Sequence, residues 1–210
     1  MVCPLLLSLI AYGKRAESVR VHAYVLMTHH VHLPATPETD RGPGRLMKGL
    51  GQRDVQYVNR TDHRTVTLFE GRFRSSVIEA DSDLIACRRN IALNPVRARM
   101  VPTAEEYPWS SDRCNALGLT DPVVATHPLC LTLGERDAER RSRCRNLFAD
   151  EFPESEIAAR RGTTNGGLAL GSDHFQRQIA AMVGRRTWPG TSGRPKKEPP
   201  DANRTELPLI

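Results

Sequence analysis

Two histidines separated by one residue, His30 and His32, are the side chains best suited to chemistry in this sequence. They follow residues 19–27, where apolar residues occupy alternate positions, the pattern of a β-strand. Because strand side chains alternate between two faces, both imidazoles point to one side and reach one ligand. Two imidazoles suit a divalent metal ion and leave positions open for a phosphate oxygen. The structural alternative is a pair of ordinary strand histidines, one of them bonded to a backbone carbonyl.

A second candidate group lies at the end of a predicted helix, residues 82–93. The run Asp-Ser-Asp at 81–83 favours a helix start, and Pro95 disfavours the helical conformation at Asn94, so the helix should end there. The amide oxygen of Asn94 would complete a metal site with the two imidazoles. A plain helix cap before proline is the alternative. Asn90 lies four residues earlier, one turn away on the same face.

The composition limits the classes of function. The chain has 210 residues, a net charge of +6 and a pI near 9.4. This basicity favours an acidic partner, of which nucleic acid is the commonest, although a merely basic soluble protein is the alternative. Five cysteines form no CxxC pair, so we expect a reducing cytoplasm and neither a disulfide framework nor a zinc cluster. The apolar residues 3–11 are too short to span a bilayer, and we expect a buried helix there and no membrane partner.

The remaining pattern predicts short strands near the start and helices elsewhere. Thr28 and His29 form a predicted tight turn between two antiparallel strands, and Pro34 marks an edge position or a bulge. The predicted elements are helices at 4–16, 45–59, 82–93 and 172–183, strands at 19–27, 30–36 and from about Arg74, and a charged helix pair at 135–160 followed by a break at 163–167.

Four motifs follow one another between residues 19 and 118. They are Val-His-Ala-Tyr-Val-Leu-Met at 21–27 leading to His-Val-His at 30–32, Phe-Glu-Gly-Arg-Phe-Arg-Ser-Ser at 69–76, Asn-Pro-Val-Arg-Ala at 94–98, and Tyr-Pro-Trp-Ser-Ser at 107–111. In this order they resemble the HUH-type single-tyrosine transposases, in particular the insertion-sequence-200-like, REP-associated group. Residues 165–171 and 193–197 also resemble an extension found in some members.

The resemblance implies an α+β fold, ferredoxin-like, with a central antiparallel sheet and helices. Only some 18 residues precede the strand at 19–27, so the first strand of that fold is expected to be missing. We accordingly assign residues 1–118 to a transposase domain truncated at its start and 119–134 to a linker. Residues 135–184 are expected to form a helical C-terminal extension, and 185–210 a disordered basic tail.

The resemblance also implies a metal site and a nucleophile. In that family a His-hydrophobe-His pair and a helix-borne amide hold Mg²⁺ or Mn²⁺, and a tyrosine one turn before the amide attacks the phosphate of single-stranded DNA. The metal ligands map onto His30, His32 and Asn94, and the nucleophile maps onto Asn90. Asparagine cannot form the phosphotyrosine link, so cleavage is expected to be impaired, with Tyr57 as the least unlikely substitute. His29 replaces the usual asparagine, and whether it joins the metal site is open.

Basic residues predict a surface that binds DNA phosphates with an affinity that falls as salt rises. Phe69 or Phe73 could stack on an unpaired base, whereas a solvated basic surface with Phe73 in the core is the alternative. The Gly-Arg-Pro-Lys-Lys run at 193–197 resembles the arms that enter the minor groove, or is a plain basic tail. The predicted DNA-contacting residues are Arg64, Arg72, Arg74, Arg97, Arg194, Lys196 and Lys197.

Three functions are therefore open. The leading interpretation is a transposase-family protein, nucleoid-associated in a bacterial cytoplasm, that binds single-stranded or hairpin DNA. By resemblance it cleaves and rejoins that DNA through a phosphotyrosine intermediate, and Asn90 is expected to impair this step. The alternatives are a non-catalytic DNA-binding regulator and a decayed transposase remnant. Whether the protein is a monomer or a homodimer is undecided.

Overall fold

A computed structural model describes residues 3–149 and 153–190. This part of the chain has an α+β fold, as predicted. Its strands are β1 (Val19–Val21), β2 (Val25–Leu26), β3 (Val31–His32) and β4 (Ala35–Pro37). Its helices are α1 (Cys3–Ala16), α2 (Gly42–Thr61), α3 (Ala80–Ala92), α4 (Asn94–Arg97), α5 (Pro128–Leu131), α6 (Asp137–Ala149), α7 (Glu154–Gly166) and α8 (Asp173–Val183).

A tight hairpin joins β2 to β3. The strands are antiparallel, with Val25 opposite His32. The N–H of Met27 donates to the carbonyl of His30 at 2.9 Å and closes the two-residue loop. The predicted turn at Thr28 and His29 is therefore confirmed, and it places the histidine pair at the end of the hairpin.

The two predicted long strands are each interrupted. β1 pairs with β4 and β2 pairs with β3, which gives two two-stranded antiparallel sheets. Between them Pro34, which has no N–H to donate, lies beside His22 and accepts the N–H of that residue at 2.8 Å. Proline cannot continue a ladder of backbone hydrogen bonds. The predicted irregularity at Pro34 is confirmed, and the expectation of unbroken strands at 19–27 and 30–36 is wrong.

Later parts of the chain cover the other edge of β1 and β2. The N–H of Ser111 donates to the carbonyl of Tyr24 at 3.0 Å, and the N–H of Ala125 donates to that of Val21 at 2.7 Å. Val123, in the expected linker, is fully buried in the core. The linker residues thus pack as part of the domain.

Two clusters of apolar side chains hold the elements together. The larger one lies between α1, α2 and β1, and the smaller one holds α3 against the hairpin. Full burial of each large aliphatic side chain stabilises the fold by about 1.5–3 kcal/mol. The buried members of the first are Leu6, Ile10, Val19, Val21, Tyr24, Leu26, Leu46, Leu50 and Val123. Those of the second are Val25, Met27, Ile91 and Tyr107.

The end of α3 is sharp. The helix stops at Ala92, and α4 begins at Asn94 after the single residue Leu93. Pro95 occupies the first turn of α4, where its fixed backbone angle is favourable and its lack of an N–H does no harm. The predicted helix boundary is confirmed, but the helical conformation resumes at Asn94 because the proline begins a new helix.

The C-terminal extension docks on the segment around residues 77–83. A strand is predicted from about Arg74. In its place the structure has one parallel bridge, between Ile78 and Leu170. α7 continues to Gly166 and ends at Gly167, whose φ of 59° is left-handed and suits glycine. The predicted break at 163–167 is therefore wrong except at its last residue.

The start of the expected tail makes contacts with the extension. The hydroxyl of Thr187 is buried and donates to the carbonyl of Gln176 at 2.6 Å, and the backbone carbonyl of Thr187 accepts the N–H of Ala169 at 2.8 Å. The rest of the tail, residues 191–210, lies outside the described residues, together with Arg194, Lys196 and Lys197.

An ion pair fixes α7 to α3, and we expect the substitution Asp83→Asn to weaken the fold. Arg160 Nη1 lies 2.8 Å from Asp83 Oδ1, and the two side chains are 16% and 17% exposed. Loss of one partner leaves the other charge in a poorly solvated position, so the free energy of unfolding should fall by about 1–3 kcal/mol. Urea denaturation measures this change.

A surface pair provides the matched control. Arg143 Nη2 and Glu139 Oε1 lie 2.6 Å apart within α6, and both side chains are well exposed. The substitution Glu139→Gln should change the free energy of unfolding by less than about 0.5 kcal/mol. Equal losses in Asp83→Asn and Glu139→Gln would show that the buried pair does not anchor α7.

Candidate functional site

The histidine pair has the predicted arrangement. The ring centroids of His30 and His32 are 5.0 Å apart in an edge-to-face contact. Burial lowers the pKa of both imidazoles, that of His32 to about 4, and the positive charge of Arg161 lowers both further. Arg97 also lowers the pKa of His32. Both rings are therefore neutral at pH 7, and each offers one N–H donor.

His29 lies in the turn and is exposed. Its ring centroid is 4.6 Å from that of His30, and its Nδ1 is 3.0 Å from the hydroxyl of Thr28. The His29 imidazole therefore lies beside the His30–His32 pair, on the side that faces solvent.

Arg97 joins the two asparagines of the predicted site. Its Nη2 donates to Asn90 Oδ1 at 2.7 Å and to Asn94 Oδ1 at 2.9 Å, and also to the backbone carbonyl of Asn90. The carbonyl contact satisfies a group in the last turn of α3, where helical partners run out. Arg97, predicted as a DNA contact, thus lies among the residues predicted to hold the metal and the nucleophile.

We call the group His30, His32, Asn90, Asn94, Arg97 and Arg161 the cationic site. Three elements supply it: the hairpin, the adjoining ends of α3 and α4, and α7. Burial lowers the pKa of Arg97, the nearby Arg161 lowers it further, and Glu154 opposes the shift. The guanidinium nevertheless stays charged at neutral pH. The site therefore combines two guanidinium cations with neutral imidazoles and amides.

These residues fit a divalent metal ion poorly. Among residues 3–149 and 153–190, no three His, Cys, Asp or Glu side chains are grouped so as to hold one. Asn94 Oδ1, the expected third ligand, already accepts a hydrogen bond from the Arg97 guanidinium. A dication bound there would stand beside a fixed positive charge in a partly buried place, and that repulsion is costly at low effective dielectric constant.

None of the four tyrosines takes the place of the nucleophile. Tyr24 and Tyr107 are buried, and their hydroxyls donate at 2.7 Å to Asp121 Oδ2 and to a backbone carbonyl, respectively. Burial raises the pKa of both phenols. Tyr12 and Tyr57 are exposed on α1 and α2 and not on α3. Asn90 thus stands alone at the position of the expected tyrosine.

A basic surface loop contacts α7, the helix that carries Arg161. Residues 63–76 contain exposed arginines and two aromatic side chains, Phe69 and Phe73, which are 40% and 45% exposed. Phe73 therefore lies outside the core. Arg74 Nη1 donates to the backbone carbonyl of Asn165, which ties this loop to α7. We call residues 63–76, with Arg64, Arg72 and Arg74, the basic-aromatic loop.

Sequence reasoning did not assign Arg161 to the site. Arg161 follows a stretch rich in arginine, and no local pattern distinguishes it from its neighbours. Its position follows from the ion pair of the adjacent Arg160 with Asp83, which is a contact across 77 residues of sequence.

No helix among the described residues is long and apolar enough to cross a membrane. The function of the chain is inferred from the cationic site and the basic-aromatic loop, since comparison with protein-family models, curated proteins and solved structures finds no match.

Proposed function

We propose that this protein binds DNA with a single-stranded or hairpin segment, and that it is a transposase-type protein without strand-cleaving chemistry. The observation that carries the proposal is the Arg97 guanidinium, held by Asn90 and Asn94 beside the paired histidines. Where the resembled family carries its nucleophile, this chain has an amide that accepts a hydrogen bond. An amide does not attack a phosphate, so the site is suited to binding alone.

The basic-aromatic loop supports a nucleic-acid partner. Exposed arginines contact phosphates without regard to sequence, and exposed aromatic rings stack on unpaired bases. Phe69 and Phe73 leave their rings partly free to do so, and Arg72 is exposed between them. A duplex offers few free base faces, so single-stranded or looped DNA is the better ligand. We further propose that the two short sheets are a reduced form of the ferredoxin-like sheet of that family.

A metal-assisted strand transferase that uses Mg²⁺ or Mn²⁺ is the second candidate function. The pairing of His30 with His32 is the observation in its favour. A decayed remnant that scarcely folds is the third, and a cooperative thermal transition would argue against it. Monomer and homodimer both fit the proposal.

DNA binding is tested by fluorescence anisotropy with a labelled hairpin oligonucleotide across a salt series. We expect the logarithm of the affinity to fall linearly with that of the salt concentration. The substitution Phe73→Ala should weaken binding by about 1–3 kcal/mol through loss of stacking. Val66→Ala is the matched control, because Val66 is an exposed apolar residue of the same loop without an aromatic ring. No binding at low salt would overturn the proposal.

Loss of cleavage has its own test. Incubation of the unaltered protein with single-stranded DNA and Mn²⁺ should yield no covalent adduct on a denaturing gel, because Asn90 offers no hydroxyl. An adduct would show that another side chain serves as nucleophile, and the second candidate function would then replace the first.

A further inference from the structure

We propose that the Arg97 guanidinium takes the place of a divalent metal ion in the cationic site, so that the site binds a DNA phosphodiester directly. The inference rests on the proposed function, because it concerns how the DNA phosphate is held. The contacts of Asn94 do not fit the metal-ligand role that the resemblance implies, because its Oδ1 accepts a hydrogen bond from the Arg97 guanidinium.

Arg97 is anchored through only one of its three nitrogens. All three acceptors that it meets, two on Asn90 and one on Asn94, contact Nη2. Nη1 has no hydrogen-bond partner among the described residues, and Nε is buried without one. A guanidinium carries five N–H donors. The anchor therefore fixes the position of the cation and leaves three donors for a ligand.

A second buried donor lies at the same point. The Nδ2 amide group of Asn94 is buried and has no hydrogen-bond partner in the described part of the chain. Buried donors are nearly always satisfied by protein, water or ligand, so two unsatisfied donors on contacting side chains indicate a bound acceptor. The unsatisfied groups of Asn94 and Arg97 are both N–H donors, so a ligand at this point is an anion and not a cation.

The charge of the site selects the same ligand. The charge of Arg161 acts on both histidines and on Arg97, and among the described residues Glu154 is the acid whose charge opposes it at Arg97. A phosphodiester supplies the missing negative charge together with oxygens that accept from guanidinium groups, and such charge-assisted bonds are stronger than neutral ones. The neutral imidazoles of His30 and His32 add N–H donors to the same ligand.

The experiment compares hairpin binding in EDTA with binding in Mn²⁺. We expect dissociation constants that agree within about twofold, since no metal takes part. Arg97→Gln should raise the dissociation constant about tenfold or more, and Arg161→Gln, an exposed substitution, about three- to tenfold. Arg15→Gln removes the same charge from an exposed position on α1 and should change it by less than about twofold. Thermal unfolding shows whether each variant is folded.

The outcomes separate this inference from the proposed function. Absence of binding in both conditions overturns DNA binding itself. Binding in Mn²⁺ that EDTA abolishes overturns the inference and leaves DNA binding intact. The inference also fails if folded Arg161→Gln binds DNA as tightly as Arg15→Gln. Mn²⁺ alone should keep its full free-ion paramagnetic resonance signal when the protein is added, and a loss of signal that His32→Ala restores would contradict the inference.

Discussion

The substitution Asp54→Leu is expected to raise the free energy of unfolding at pH 7 by about 2–4 kcal/mol. Asp54 lies on α2 and is 0% exposed, and neither carboxylate oxygen has a hydrogen-bond partner among the described residues. Burial raises the pKa of this carboxyl group, because the charged form loses its hydration. Leucine has the same branching and number of heavy atoms, and it favours the helix more than aspartate does.

Urea denaturation of the two proteins measures the effect. Asp54→Asn is the matched control, since it removes the charge and keeps both polar atoms, and its gain in stability should be smaller than that of Asp54→Leu. DNA binding should be the same in all three proteins. A leucine variant no more stable than the unaltered protein would show that the carboxylate is compensated where it stands.

Asp112→Asn is expected to raise the free energy of unfolding by about 2–3 kcal/mol at pH 7.5 and by nearly nothing at pH 4. Asp112 is buried, and its Oδ1 has no hydrogen-bond partner in the described ranges. Burial raises its pKa to about 6, with Glu105 adding to the shift and Arg88 opposing it. The folded pKa exceeds the unfolded one, so the penalty is complete above pH 6 and disappears below about pH 4.

His32 has the opposite effect on stability in the same range of pH. Its folded pKa of about 4 lies below the ordinary value of 6.5. Its neutral form therefore contributes stability above pH 6.5, and this stability is lost as the pH falls towards 4. The two slopes oppose each other in the unaltered protein, so only the difference between Asp112→Asn and the unaltered protein isolates Asp112.

Urea denaturation at four pH values between 7.5 and 4 checks this difference. Glu70→Gln, an exposed substitution, should change the free energy of unfolding by less than about 0.5 kcal/mol throughout. A gain in Asp112→Asn that is equal at all four pH values would contradict titration of Asp112 as the cause.

The sequence predicted correctly those elements that depend on interactions between residues close together in the chain. The periodicity of apolar residues predicted α1, α2 and α3. The spacing of His30 and His32 predicted that their side chains lie on the same face of the hairpin. The proline signals at Pro34 and Pro95 also marked real interruptions. Each of these depends on residues within a few positions of one another, which is why sequence alone was sufficient.

The rest depends on contacts between distant residues. The segments at 107–111 and 121–125 donate and accept backbone hydrogen bonds on the other edge of β1 and β2, across more than 80 residues of sequence. Helix α7 ends at Gly166, with Gly167 as its left-handed cap, and the chain then returns to bridge Leu170 with Ile78, a contact between residues distant in sequence. The bonds from Arg97 to Asn90 and Asn94 span three and seven residues, but they depend on side-chain rotamers that sequence does not specify.

The anchoring of α7 to Asp83 has a consequence for synthesis on the ribosome. The hairpin and α3 leave the ribosome first, and Arg160 follows Asp83 by 77 residues. At about 5–20 residues per second, that interval is about 4–15 s. Arg97 is made 14 residues after Asp83, and from then until α7 is made the nascent chain carries the histidines and Arg97 without the guanidinium of Arg161. On the proposed function, the cationic site therefore gains its second guanidinium only after α7 has been made, and the unfinished polypeptide is expected to bind nucleic-acid phosphates more weakly than the finished protein.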